Sequence, residues 1–325
     1  MTRAASQTFV ALTGGVGGAK LALGLANLLG ERLTVVVNTG DDFEHLGLYI
    51  SPDVDTALYT LAGVVNPLTG WGRRDETWTF MQALQELGGP TWFKLGDSDL
   101  ATHVDRTRRL RSGATPTSTC THLAARLGVA ARVLPMSDRP VRTVVDTEEG
   151  TLAFQKYFVR EQCRPVAKAI RFDGASAAKP TPQVIEALSA PGLAGVIVCP
   201  SNPWLSIDPI LAIPGMREAV RASGVPVVAV SPIIAGKAVK GPTVKIMREL
   251  GLTTDNRAIA DHYAGLIDGI VIDGSDADAV GGLPLPVTVT NTLMRTLDDK
   301  IALARDCLAF CSRLSARTPA PERRR

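Results

Sequence analysis

The sequence predicts a Rossmann-like three-layer α/β/α fold, with a mostly parallel sheet and an inserted region of helices and a hairpin. Three observations predict it. Thr8 to Thr13 is an apolar, strand-like run that opens into Gly14-Gly15-Val16-Gly17-Gly18 and then into the helix-favouring Leu21 to Leu29, the order strand, tight turn, helix. Leu33 to Val37 follows after a short link as a continuous β-branched run. Such strands are buried on both faces and belong in parallel sheets. The same alternation returns late in the chain, from Gln183 onward.

Taken in order, residues 8–38 form a β-α-β unit, expected right-handed. Ser51-Pro52-Asp53-Val54-Asp55-Thr56 leads into a helix over Ala57 to Ala62. Asn66 to Trp71 reads as a loop, and Trp71 to Trp78 opens an amphipathic helix that runs to Leu87. Gly96-Asp97-Ser98-Asp99 is a turn before the basic helix Ala101 to Arg111, and Thr117 to Leu127 is a helix behind Pro116. Val133-Leu134, Val141 to Val145 and Leu152 to Val159 read as strands, the last two joined through Glu148-Glu149-Gly150. Beyond Gln183 to Leu188, a helix, come strands at Gly195 to Cys199, Val225 to Val230, Gly269 to Ile272 and Val287 to Thr290. Helices are expected at Val244 to Leu250, Ala258 to Leu266 and Leu293 to Leu314. The expected organisation is a core of residues 1–65 and 171–325, with 66–170 inserted over the ligand site.

Composition narrows the function classes. Of 325 residues, 45% are hydrophobic and 21% charged, the balance of a packed globular chain. A net charge of +3 gives no footprint for nucleic acid or a membrane surface. The five cysteines form no Cys-x-x-Cys pair and read as reduced, buried thiols. No apolar run approaches 18 residues and no signal-peptide core opens the chain, so a cytoplasmic protein is expected. The four histidines share no spacing, and neither a Gly-x-Ser-x-Gly elbow nor a His-Glu-x-x-His pair occurs, which sets those hydrolases aside.

The chemistry gathers at strand ends. A helix starting at Gly14-Gly15-Val16-Gly17-Gly18 points free N–H groups and its positive dipole end at one spot, which suits a phosphate. Ala19-Lys20-Leu21 lacks the hydroxyl that a P-loop places on its metal, and Lys20 stands where a dinucleotide fingerprint has its third glycine. Asp41 and Asp42 follow the second strand, where α/β sheets bind ligands. With Asp53 and Asp55 they supply oxygen ligands for a divalent cation; the bland alternative is that Asp53 or Asp55 caps the next helix. Ser201-Asn202 lies at a later strand end, and Ser231 to Gly241 carries Lys237 and Lys240, a grip for a diphosphate. Trp71 and Trp78 flank Arg73 and Arg74, a wall for an aromatic ligand with an anionic tail.

The ordered set Gly14-Gly15-Val16-Gly17-Gly18-Ala19-Lys20, Asn38-Thr39-Gly40-Asp41-Asp42, Pro52-Asp53-Val54-Asp55-Thr56, Trp71-Gly72-Arg73-Arg74-Asp75-Glu76-Thr77-Trp78, Leu95-Gly96-Asp97-Ser98-Asp99-Leu100-Ala101-Thr102-His103, Pro200-Ser201-Asn202-Pro203 and Ser231-Pro232-Ile233-Ile234-Ala235-Gly236-Lys237 resembles the 2-phospho-L-lactate transferase family, called CofD in archaea and FbiA in actinobacteria. The resemblance spans roughly residues 8–310. One departure is visible: Asp75 stands where relatives carry Asn, which bears on the acceptor contact there.

The resemblance implies an enzyme of coenzyme F(420) biosynthesis. It would move a 2-phospholactyl, phosphoenolpyruvyl or phosphoglyceryl group from a guanosine-diphospho donor to the ribityl terminal hydroxyl of the deazaflavin Fo, releasing GMP. Magnesium and a homodimer are implied with it. In that setting Asp41 and Asp55 are expected to hold the magnesium, with Asp53 and Asp42 as second choices, and Asp41 or Asp42 to accept the hydroxyl proton. Gly14, Gly15, Gly17, Gly18 and Lys20, with Ser201, Asn202, Ser231, Lys237 and Lys240, are expected on the donor phosphates and nucleotide. Asp75, Thr77, Trp78, Gly96 and Asp97 are expected on the deazaflavin. The alternatives are a non-catalytic nucleotide-sugar-binding regulatory protein of the same superfold, whose relatives open with Gly-Gly-Gly-Thr-Gly, and a dinucleotide oxidoreductase, disfavoured by Lys20.

Overall fold

A computed structural model describes residues 7–239 and 241–317. The chain opens with β1 (Thr8–Thr13), α1 (Gly15–Leu29) and β2 (Leu33–Val37), then a hairpin of β3 (Phe43–His45) and β4 (Leu48–Ile50). Four helices follow: α2 (Pro52–Leu61), α3 (Thr79–Glu86), α4 (Asp97–Arg111) and α5 (Pro116–Arg126). Next come β5 (Arg132–Pro135), β6 (Arg142–Thr147), β7 (Gly150–Ala153) and β8 (Ala167–Asp173). The later half runs α6 (Pro182–Leu188), β9 (Leu193–Val198), α7 (Asp208–Leu211), α8 (Met216–Ala222), β10 (Val227–Val230), β11 (Ile233–Ile234), β12 (Lys237–Ala238), α9 (Thr243–Glu249), α10 (Asn256–His262), β13 (Gly269–Asp273), β14 (Val287–Thr290) and α11 (Leu297–Arg317).

Seven strands form one sheet in the order β14-β13-β10-β9-β1-β2-β5, and every neighbouring pair is parallel. Alternation along β1 divides the core. Phe9 and Ala11 face α1, α2, α5 and α11, while Val10 and Leu12 face α6 to α10. Both faces are therefore apolar, which is why these strands read as unbroken hydrophobic runs. Cys199, Cys307 and Cys311 lie in the first of these layers, and all five cysteines are buried free thiols. Among the described residues no helix is long and apolar enough to cross a membrane.

The segment 66–170 departs from expectation in three places. Val133-Leu134 belongs to β5, which pairs with β2 and forms the edge of the main sheet. The hairpin β6–β7 turns at Glu148-Glu149 as expected, but β8 joins it as a third, antiparallel strand. The run expected as a strand over Leu152 to Val159 stops at Ala153, and Lys156–Arg160 winds into a π-helical turn. There Phe154 stacks on Phe158 and Tyr157 is fully buried. A straight strand would send Phe154 and Phe158 to one face too far apart to stack. Helix α1 starts at Gly15, so Gly15, Gly17 and Gly18 lie within it rather than in a loop before Leu21.

Candidate active site

Chain order runs outward from β1 through β2 to β5 on one side, and from β9 through β10, β13 and β14 on the other. The carboxyl ends of β1 and β9 thus flank the topological switch point, where open α/β sheets leave a crevice. The glycines let the two strand ends close on each other there. A methyl at Gly14 would lie 2.5 Å from Asp53 Oδ2 and 2.7 Å from Ser206 Cβ, and one at Gly17 would lie 2.5 Å from the Pro200 carbonyl. A methyl at Gly18 would overlap Thr13 and Ser201. Gly15 has φ +65, which a side chain would strain. Ser201 Oγ accepts from the Gly14 N–H at 3.2 Å and ties β9 to β1.

Three buried carboxylates converge beside this turn: Asp41, Asp42 and Asp53. Asp53 accepts from Asn38 Nδ2 at 2.9 Å and from the Gly15 N–H, so the protein's own carboxylate sits on the start of α1. Asn38 Oδ1 in turn accepts from the Gly40 N–H at 2.7 Å and shapes the loop that carries Asp41. Asp42 accepts from Ser51 Oγ at 3.0 Å. Among the described residues, Oδ1 of Asp41 and Oδ1 of Asp42 are buried without a hydrogen-bond partner. Burial, then Asp53 and Asp42 nearby, push Asp41 well above the usual carboxylate range. Burial likewise raises Asp42 to about 7 against the pull of Arg142 and Arg106, and raises Asp53 to about 6. Burial disfavours the ionised form of each, and at Asp41 the neighbouring carboxylates add to it. The trio's hard oxygen donors, two of them orphaned, fit a divalent cation such as magnesium. Among the described residues the tightest set of metal-compatible side chains is instead Asp55, Asp99 and His103, whose ligand atoms lie within 4.8 Å of one another.

The β6–β7–β8 sheet forms one wall. The Thr143 N–H donates to the Gly40 carbonyl at 2.6 Å. Arg142 lies over the Tyr49 ring, with its guanidinium carbon 5.5 Å from the centroid, and donates to Tyr49 Oη at 3.3 Å. From β7's end, Gln155 Nε2 donates to the Asp41 carbonyl at 3.1 Å and reaches Asp41 Oδ2 at 3.5 Å.

Asp55 faces a second buried cluster. Arg106 grips both its carboxylate oxygens, and His103 Nδ1 lies 3.6 Å away. Asp99 accepts from Tyr59 Oη at 2.6 Å and stands 3.3 Å from His103 Nε2. Burial raises Asp55 while Arg106 and His103 oppose it; burial also works on Asp99, where His103 and Tyr59 outweigh it and hold it below its ordinary value. The expectation that Asp41 and Asp55 together face the glycine turn is corrected: the carboxylate at the turn is Asp53. Two residues apart on α2, Asp53 and Asp55 lie about 200° apart around the helix axis, so only one meets the switch point.

The family model described as 2-phospho-L-lactate transferase CofD matches residues 9–281. The chain belongs to the CofD family. It is 42% identical to a phosphoenolpyruvate transferase of Streptomyces griseus over 94% of this chain and 99% of that one. It is 39% identical to a 2-phospho-L-lactate transferase of Methanopyrus kandleri over 93% and 97%. A crystal structure of a UPF0052 family protein from Bacillus halodurans shares the fold, with a TM-score of 0.63 at 16% identity over 94% and 99%.

The remaining residues expected at the site of this CofD protein are spread over four places. Ser201 and Asn202 lie at the switch point. Asn202 Oδ1 caps the turn after it, accepting from the Trp204 and Leu205 N–H groups at 3.0 and 3.1 Å, and its Nδ2 is buried without a partner. Ser231 is buried at the end of β10 and accepts from the Ile233 N–H, and exposed Lys237 starts β12; Lys240 lies outside the described residues. Lys20 Nζ donates to the Met294 carbonyl at 3.1 Å, so it bridges α1 to the segment before α11. On the acceptor side, Asp97 accepts from Thr77 Oγ1 at 2.6 Å and from the Thr79 and Phe80 N–H groups at 3.0 Å, and so caps α3. Glu76 accepts from the Ser98 and Asp99 N–H groups at 2.8 Å and caps α4, lying across Gly96. Trp78 is half-exposed before α3, and the Asp75 carboxylate is exposed at φ +56. Sequence reading missed Asn38, Arg142, Arg106 and Gln155 as site residues. Asn38 ends β2 inside a motif and was within reach; Gln155, 114 positions from Asp41, carries no local signal.

Proposed function

We propose that this chain transfers a phosphorylated three-carbon acid from a guanosine-diphospho donor to the ribityl terminal hydroxyl of the deazaflavin Fo, releasing GMP, in coenzyme F(420) biosynthesis. The observation that carries this reading is the buried trio Asp41, Asp42 and Asp53 at the switch point, with orphaned carboxylate oxygens. Attack of a hydroxyl on a diphosphate asks for positioning and charge neutralisation rather than covalent help. Asp41 and Asp53 would hold magnesium, with Asp42 beside them. The ion would neutralise phosphate charge. Asp55 is paired with Arg106 and lies in the neighbouring cluster with His103 and Asp99.

The chain's own groups divide the remaining work. N–H groups in the first turn of α1, Ser201, the free Nδ2 of Asn202 and Lys237 hold the donor. A carboxylate whose affinity for protons is raised, Asp41 or Asp42, takes the hydroxyl proton. The hydroxyl oxygen bonds to the phosphorus bearing the three-carbon acid, and the bond from that phosphorus to the GMP oxygen breaks. The clasped segments 76–80 and 96–99 shape the deazaflavin side. The names of relatives at 41–42% identity favour the phosphoenolpyruvyl donor. The protein would work as a cytoplasmic homodimer on small molecules, without nucleic acid or membrane.

The test is incubation with Fo, magnesium and each of the lactyl, enolpyruvyl and glyceryl guanosine-diphospho donors, read by mass spectrometry. A phosphodiester-linked deazaflavin with matching GMP release is expected, strongest with the enolpyruvyl donor. Folded protein that gives no product with any donor would reject the reading, and UDP-sugar binding without turnover would point to a regulatory protein instead.

A further inference from the structure

We infer that Gln155 is a positioning residue for Asp41, fixing its carboxylate so that one oxygen stays open to the cation; this rests on the proposed function. Gln155 leaves β7 at the start of the π-helical turn and is 5% exposed. Its Nε2 donates to the Asp41 carbonyl at 3.1 Å and reaches Asp41 Oδ2 at 3.5 Å. The main-chain carbonyl is an acceptor only, so the amide must present its NH2 group there rather than its oxygen. One donor group thus meets both the backbone and one carboxylate oxygen of the same residue, while Asp41 Oδ1 is left buried and unpartnered. That division is the arrangement by which outer groups orient a metal-binding carboxylate.

The surroundings hold Gln155 in place. Phe154 before it stacks on Phe158 at a centroid distance of 5.3 Å. Tyr157 after it is fully buried and accepts from Lys245 Nζ at 3.2 Å. Were β7 to run on as a straight strand, this backbone would lack the turn that places Phe154 and Phe158 together around Gln155. The π-helical turn therefore links the second sheet to the carboxylates of the first. Turns of this kind occur often at functional sites.

The test compares Gln155→Met, which keeps the shape and removes the donor, with Gln155→His, whose Nε2–H has a similar reach, and Gln155→Glu, which sets a carboxylate against two acceptors. Two readouts are taken on folded protein: Mn2+ binding in the presence of GDP, by electron paramagnetic resonance, and steady-state transfer to Fo. Gln155→Met is expected to weaken Mn2+ binding and lower kcat about tenfold, with the Fo KM unchanged. Gln155→Glu is expected to lose more activity than Gln155→Met, and Gln155→His to recover part of the loss. Mn2+ affinity and kcat within twofold of wild type in Gln155→Met would overturn the inference. So would a loss of kcat that the Fo KM and the melting temperature follow in step. If Gln155→Met does not fold, the contrast between Gln155→His and Gln155→Glu decides, equal behaviour of the two counting against it. Wild-type protein that neither binds Mn2+ nor transfers would sink the proposed function itself, a separate outcome.

Discussion

Asp53 and Asp55 show how two identical side chains two positions apart take opposite roles. Asp53 lies beside Asp41, so replacing it removes repulsion and, on the proposed function, a metal ligand. Asp55 neutralises a buried guanidinium, so replacing it strands a charge. Asp53→Asn is therefore expected to leave the ion-free protein as stable as wild type or more so, while the transfer rate falls at least ~100-fold, a loss in the range seen when a metal's ligand sphere is damaged. Asp55→Asn is expected to cost about 3–5 kcal/mol by urea unfolding, the range for breaking a buried pair, while whatever fraction folds retains measurable transfer. The reverse pattern would mean that the two roles are exchanged. The sequence reading put Asp55 ahead of Asp53 for the metal, whereas the structure sets Asp53, not Asp55, against the glycine turn. The choice depends on the phase of α2, set by its start at Pro52, and on Arg106, 51 positions from Asp55.

At the scale of elements, α3 and α4 are locked by reciprocal capping: Asp97 opens α4 yet caps α3, and Glu76 precedes α3 yet caps α4. Each carboxylate satisfies main-chain donors that a helix start leaves unpaired. Glu76→Ala should cost about 1 kcal/mol of stability. Asp97→Ala should also destabilise, and the double variant should lose less than the sum, because either change opens the same clasp. Strict additivity in urea unfolding would show two independent caps. The residues Gly96, Asp97 and Thr77 were legible as a constellation because they recur in a motif. Their first role is structural, and spacing alone does not reveal that a carboxylate 20 positions away caps a helix. The main sheet was legible for the opposite reason: strands buried on both faces announce themselves locally and showed the carboxyl ends that carry the site, while the switch point between β1 and β9 needed the strand order. The third strand β8, half-exposed along its length, and the turn at Lys156–Arg160 owe their form to contacts across the sheet and with α9.

Across the whole molecule, the carboxylate trio makes stability depend on pH and, on the proposed function, on the cation with it. Asp41, Asp42 and Asp53 all stand above the ordinary value of 3.8, Asp42 at about 7 and Asp53 at about 6. Between about 4 and 7 the folded chain thus holds protons that the unfolded chain has already released. Stability from these groups falls as the pH rises through that window and is recovered on acidification. Because the groups interact, the window belongs to the trio and not to any one residue. His45 works in the opposite direction: burial lowers its value, so its contribution grows as pH rises. Wild type and an Asp41→Asn/Asp53→Asn variant share His45 and Asp42, and their difference isolates Asp41 and Asp53. Without divalent cations, the melting temperature of wild type relative to this variant should fall between pH 5 and pH 8, corresponding to a loss on the order of a few kcal/mol. On the proposed function magnesium would replace the protons as counter-charge, so its stabilising shift should be small at pH 5, grow towards pH 8 and vanish in the variant. Calorimetric melting at pH 5, 6.5 and 8, with and without magnesium, measures all three effects. A magnesium shift that is the same at every pH, or that survives in the variant, would place the cation elsewhere in the molecule.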